Sequence, residues 1–199
     1  MATQNSIHFY IDWAKERLDE MDATLTSLEG KAGAVQADAH DKAAKILADL
    51  RRNRDGFRDT VKKQAEANEA AWIGVKKELE SEWSAFEAEV QKYVESFGKQ
   101  MELQDATFKL QAEAQLKAWR DAAEKLGSTA NEFVAERRGD IDAAVTRMKA
   151  EAGAAEERLQ KLNQAGTQSW SVLMAALTET RAVFDRASQA VRDEFKRAG

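Results

Sequence analysis

The chain of 199 residues contains no cysteine and no proline, and only two histidines. Without cysteine it cannot form a disulfide scaffold, a thiolate zinc site or a cysteine nucleophile. Without proline it has no residue that forces a helix to end. Two histidines leave little material for a histidine-rich metal site, and we expect the chain to hold neither a metal ion nor another cofactor.

The sequence also lacks the short motifs that are typical of enzymes. It has no nucleophile elbow, no phosphate-binding P-loop, no zinc-binding HExxH and no dinucleotide-binding glycine pattern. Asp38, His40 and Asp41 form a short cluster of potential metal ligands, but their spacing does not place the three side chains on one helical face. We therefore expect no catalytic, cofactor-binding or metal-binding residue, and we do not expect an enzyme.

Charge and hydropathy limit the classes of partner. The formal net charge is −5, which argues against a nucleic-acid partner and against strong attraction to anionic lipid. No apolar run is long enough to predict a transmembrane segment, and the N-terminal residues do not read as a secretory signal. The expected compartment is the cytoplasm, and peripheral contact with a neutral membrane or an apolar granule is left open.

What the sequence does contain is a long helical pattern. Apolar residues follow heptad spacing from Ile11 to Val35, and an eleven-residue spacing takes over further along the chain. Because eleven residues in three turns is close to the natural helical period, the apolar stripe runs nearly straight along the helix. The large side chains assigned to this stripe are Trp72, Trp83, Phe86, Phe97, Phe108, Trp119, Trp170 and Phe184. A stripe this wide suits a three- or four-helix bundle or a flat apolar surface.

Glycine marks the predicted helix ends. Gly127 and Ser128 form the strongest candidate hinge, because Thr129 and Glu132 follow with the spacing of a capping box. The other glycines after residue 33 are predicted to lie within helices. The predicted helices span residues 5–29, 34–126 and 129–197.

The predicted fold is therefore all-α, a single elongated domain over residues 1–199. It is an antiparallel helical bundle or coiled coil of about three long helices. The long middle helix cannot bury its stripe alone, so it must pair with the third helix, with another chain, or with both. We expect the protein to form homo-oligomers.

Two blocks of opposite charge lie on the predicted middle helix. The basic block contains Arg51, Arg52, Arg54 and Arg58, and the acidic block contains Glu78, Glu80, Glu82 and Glu87. The blocks are either solvated faces or a means of setting register between helices of partner chains.

The aromatic residues allow two interpretations. The tryptophans are either large core residues or side chains that favour the interface between water and lipid. The pattern that places Phe86, Phe97, Phe108 and Trp119 in step resembles exchangeable apolipoprotein-like helices and the phasin-like proteins that coat bacterial polyester granules. This resemblance covers roughly residues 28–195 and implies non-catalytic coating of a hydrophobic surface, with oligomerisation.

These observations favour a non-catalytic, self-associating coiled-coil scaffold or interaction protein. The alternative is an amphipathic coat protein that binds a membrane, a lipid droplet or a polyester-granule surface. The two hypotheses differ in where the stripe lies, because a bundle keeps its aromatic residues dry and a coat transfers them to an apolar surface.

Overall fold

The computed structural model describes the backbone of residues 2–35, 37–64, 69–97, 101–131, 133, 135–165 and 168–198. Within these residues the protein is all-α, as the periodicity predicts, and contains six α-helices. They are α1 (Ala2–Lys31), α2 (His40–Gln64), α3 (Glu69–Phe97), α4 (Met101–Ala130), α5 (Ala135–Ala165) and α6 (Trp170–Ala198). Two short 3₁₀ turns, Ala32–Ala34 and Ala37–Ala39, lie between α1 and α2.

The prediction of about three long helices is not confirmed. The stretch 34–126, predicted as one helix, holds α2, α3 and most of α4, and the stretch 129–197 holds α5 and α6. The apolar spacing could not reveal this division, because short helices that share one interior need the same stripe as one long helix. α2 ends at Gln64 and α3 begins at Glu69, and the sequence between these residues contains neither glycine nor proline.

The predicted hinge residues Gly127 and Ser128 lie close to the end of a helix. Both residues lie in α4, which continues to Ala130. The hydroxyls of Ser128 and Thr129 donate to the carbonyls of Glu124 and Lys125, each at 3.1 Å. These hydroxyls therefore bond back into α4 rather than capping the next helix. Glu132, the other half of the expected capping box, lies outside the described residues.

A substitution at Gly127 tests this placement. A Cβ at Gly127 would meet Val145 Cγ1 at 3.6 Å, an ordinary contact distance. Gly127→Ala should therefore stabilise the protein by about 0.5–1 kcal/mol in urea unfolding, since alanine loses less backbone entropy in a helix. Gly153→Ala, where a Cβ meets no atom within 4 Å, is the matched control for helix propensity alone. A loss of stability at Gly127 only would show that glycine is needed there.

The chain divides into two compact units. The terminal unit comprises Met1–Glu16 and Gln115–Gly199, and the central unit comprises Arg17–Ala114. The terminal unit holds α5, α6 and parts of α1 and α4. The central unit holds α2, α3 and the remaining parts of α1 and α4.

In the central unit, α2 and α3 form an antiparallel hairpin. Lys42, at the start of α2, lies 5.8 Å from the ring centre of Phe97 at the end of α3. Thr60, near the end of α2, donates to Glu82 Oε1 at 3.5 Å. The large side chains that are fully buried in this unit include Met21, Leu28, Leu50, Phe57, Trp72, Leu79, Phe86, Tyr93 and Phe108.

The helices of the terminal unit surround a core rich in aromatic rings. Trp119 of α4 packs edge to face on Phe184 of α6, with ring centres 5.5 Å apart. Phe195 of α6 makes similar contacts with Phe9 of α1 at 5.9 Å and with Phe133 at 5.4 Å. Aromatic pairs of this geometry stabilise a core beyond the area that they bury.

Candidate interaction site

The predicted stripe residues lie inside the two units. Trp72, Trp83, Phe86 and Phe108 are buried in the central unit, and Trp119, Trp170 and Phe184 are buried in the terminal unit. Phe97 is half-buried at the end of α3, where its ring lies 4.9 Å from that of Tyr93. The structure therefore distributes the stripe over two interiors and does not gather it on one exposed surface.

The basic block of α2 contacts acids of α1 and of its own helix. Arg51 Nε donates to Glu29 Oε1 of α1 at 2.7 Å. Arg54 binds Asp22 of α1 and, at 2.8 Å, Asp55. Arg52 pairs with Asp49 at 3.0 Å and Arg58 with Asp55 at 2.9 Å. These pairs are partly exposed, so each contributes at most about 1 kcal/mol.

The acidic block lies on α3, and its members differ in surroundings. Glu80 is exposed and pairs with Lys76 at 3.5 Å. Glu82 is half-buried and accepts the hydrogen bond from Thr60. Burial raises the pKa of the Glu82 carboxyl above its usual value of 4.5, and the nearby charge of Glu78 raises it further, whereas the hydrogen bond from Thr60 lowers it.

Glu82 should make stability depend on pH. Its folded-state pKa is raised, so the folded chain keeps a proton at pH values where the unfolded chain has lost it, and stability falls as the pH rises above 4.5. Glu82→Gln should therefore be more stable than the wild type at pH 7, with a difference that shrinks as the pH falls towards 4.5. Urea unfolding at several pH values measures this, with Glu80→Gln as the exposed control. A variant that is less stable at pH 7 would contradict the assignment.

A groove lies between α5 and α6, with a volume of about 540 Å³. Three alanines, Ala154, Ala175 and Ala176, line it together with Leu162 and Val172. Val172 is 42% exposed. Among the described residues, Val172 and Ile73 are the large apolar side chains that are exposed. A floor of small side chains lets another backbone approach closely.

Charged side chains border this α5–α6 groove. Arg158 Nη1 lies 2.6 Å from Glu179 Oε1 and joins the two helices. The hydrogen bond from Arg158 holds the pKa of the Glu179 carboxyl below its usual value. Glu157 and Lys161 also border the groove and pair with each other at 3.9 Å. The border therefore carries two acids and two bases.

Sequence analysis missed this groove. Leu162 and Leu173 follow the eleven-residue spacing, but Val172 lies beside that register and carried no signal of its own. The weak signal that was present is the number of alanines in α5 and α6, which alone does not distinguish a groove from an ordinary helix surface.

Across the described ranges, no three histidine, aspartate or glutamate side chains are grouped closely enough to hold a metal ion. His40 and Asp41 are exposed at the start of α2, and the side chain of Asp38 lies outside the described residues.

In the described part of the chain, no helix is both long and apolar enough to cross a membrane.

Comparison with known proteins adds no relative to these observations. No family model, curated protein or solved structure matches the chain. The likeness to apolipoprotein-like and phasin-like helices is therefore one of apolar spacing.

Proposed function

We propose that the protein is a non-catalytic helical interaction protein that associates with a second copy of itself through the α5–α6 groove. The observation that carries this proposal is the groove itself, an exposed surface where a small-residue floor meets the exposed apolar side chain of Val172. The stripe side chains are packed inside each unit, whereas the groove presents apolar surface that remains exposed and can receive an additional helix.

The border of the groove favours a second copy as its occupant. Two copies related by a twofold axis present the same surface to each other. Glu157 and Glu179 on this border pair with Lys161 and Arg158 of the same chain, so the border carries no net charge and does not repel a second copy. A strongly acidic or strongly basic partner would gain no net electrostatic attraction to this border.

Sedimentation equilibrium over a wide range of protein concentration tests this proposal. The wild-type chain should shift from monomer to dimer as its concentration rises. Ala175→Arg places a charge on the floor of the groove and should raise the dimer Kd by at least about tenfold, since an unpaired buried charge is costly. Ala190→Arg makes the same change at an exposed position further along α6 and should leave the Kd unchanged.

Two results would contradict self-association at this groove. A wild-type chain that remains monomeric at every concentration would exclude a dimer. Equal effects of Ala175→Arg and Ala190→Arg would place the dimer contact elsewhere. Far-UV circular dichroism of both variants controls for loss of helix.

A coat on an apolar surface is the second candidate, and the aromatic side chains stored in the two interiors favour it. Trp72, Trp83 and Trp119 are buried in the free chain, and a unit that opened would present them to an apolar phase. Flotation with neutral phospholipid vesicles or with polyester particles tests the coat. Protein that floats with either particle would support it, and protein that stays in the dense fraction would exclude it.

A further inference from the structure

The two helices that form the α5–α6 groove run antiparallel. Residues 166–169 alone separate the end of α5 from the start of α6. At the other end of the pair, Phe133, which precedes α5, contacts Phe195 near the end of α6, with ring centres 5.4 Å apart. Antiparallel neighbours are the usual result of so short a connection. The two ends of the groove are therefore different surfaces.

The ion pair of Arg158 with Glu179 shows which residues of α5 and α6 lie level with each other. Ala165 follows Arg158 by as many residues as Val172 precedes Glu179. Because both helices rise by about 1.5 Å per residue, Ala165 and Val172 also lie level. The groove thus runs from a connection end, marked by Ala165 and Val172, to a far end, marked by Ala154.

The apolar and the charged side chains occupy different parts of the groove. Leu162 and Val172, the large apolar side chains that line it, both lie toward the connection end. The ion pair of Arg158 with Glu179 lies between them and the far end, where Ala154 lines the groove. The groove is therefore asymmetric along its length, and the orientation of a second copy decides which surfaces meet.

Two copies that face each other can cover the whole groove in two ways, because the twofold axis can run along the groove or across it. An axis along the groove keeps the two connection ends together and lays α5 of each copy on α6 of the other. An axis across the groove lays each connection end on the far end of the other copy, with α5 on α5 and α6 on α6.

An axis along the groove joins apolar surface to apolar surface and opposite charges to each other. Leu162 and Val172 of one copy then meet Val172 and Leu162 of the other, which removes both from water. Arg158 of each copy faces Glu179 of the other, so that every charge of the two ion pairs has opposite charges beside it.

An axis across the groove loses both advantages. It lays the apolar connection end on the far end, where the lining residue is the small Ala154. When Ala154 is level with Ala165 of the other copy, Arg158 is level with Lys161 of the other copy, because the two intervals along α5 are equal. Like charges that meet in this way oppose association.

We infer that two copies dock with the twofold axis along the α5–α6 groove, so that Val172 of each copy packs on the Leu162–Ala165 segment of the other. This inference rests on the proposed self-association and adds its orientation. It also assigns Val172 as the side chain by which each copy fills the groove of the other.

Cross-linking between single introduced cysteines tests the orientation, because the chain has no cysteine of its own. Full-length Ala165→Cys is mixed in turn with Val172→Cys and with Ala154→Cys, and each mixture is treated with a short bis-maleimide. Each chain carries one thiol, so every link joins two copies, and mass spectrometry of the peptides shows which residues are linked. A free cysteine behaves as a small apolar residue, so the variants should still dimerise, which sedimentation equilibrium checks.

Links between residues 165 and 172 should form at least about tenfold faster than links between residues 154 and 165, because thiols held close together have a higher effective concentration. Equal rates, or faster linking of residues 154 and 165, would overturn the orientation and leave the dimer in place. Dimeric variants that form neither link would also overturn it. A wild-type chain that stays monomeric would instead contradict the self-association on which the inference rests.

Discussion

Trp72→Ala should lower the free energy of unfolding by about 3–5 kcal/mol, the range expected when a fully buried tryptophan is truncated. Trp72 is wholly buried near the start of α3. Its removal leaves a cavity in the central unit that the surrounding side chains refill only in part. Urea unfolding followed by far-UV circular dichroism measures the loss without relying on tryptophan emission.

The adjacent residue provides a matched control for this prediction. Ile73 lies on the same helix and is 59% exposed, so Ile73→Ala should change the free energy of unfolding by less than about 0.5 kcal/mol. Losses of similar size at the two positions would contradict the assigned orientation of α3. A small loss at Trp72 alone would mean that its side chain is not in a packed core.

Ala143→Pro should destabilise the protein by about 3 kcal/mol or more, although the side chain of Ala143 is exposed. The position lies inside α5, where proline removes a backbone donor and its ring clashes with the preceding turn. We therefore expect that the long helices do not tolerate proline, which is absent from the chain. Thermal unfolding by circular dichroism measures the effect.

Ala143→Gly separates this backbone effect from helix propensity. Glycine keeps the amide donor, so its cost should be about 1 kcal/mol. If proline were tolerated as well as glycine, the segment around Ala143 would not be a continuous helix in solution.

The helical class and the apolar spacing could be predicted because both are local properties of the sequence. Trp72, Trp119 and Phe184 lie on the predicted stripe, and all three are buried. Composition and apolar period suffice to predict that these positions are buried. A large apolar residue at helical spacing lies on the face that packs against other helices.

The number of helices could not be predicted, because the position at which a helix ends is not a purely local property of the sequence. Gly74 and Gly153 lie inside α3 and α5, and Gly98 and Gly166 lie outside the described residues. Whether a glycine ends a helix depends on the tertiary contacts on either side of it, which the spacing does not record. The hydroxyl back-bonds of Ser128 and Thr129 are a second example, because the same residues could have capped the next helix.

The α5–α6 groove and the hydrogen bond between Thr24 and Gln111 depend on tertiary arrangement even more strongly. Val172 and Ala176 line one groove only because α5 packs beside α6. Thr24 and Gln111 lie far apart in sequence and outside the apolar registers, so no periodicity could pair them. Sites made of ordinary residues from separate helices carry little local signal.

The central claim is that the chain uses its apolar stripe for its own interior and interacts through the outer surface of its helices. Tryptophan fluorescence in the presence of iodide, with and without neutral phospholipid vesicles, tests this claim most directly. The account predicts that Trp72, Trp83 and Trp119 resist quenching in the free chain and that vesicles change neither the emission nor the quenching. Strong quenching in the free chain would contradict the burial of the stripe, and a blue shift on adding vesicles would contradict the claim in favour of the coat.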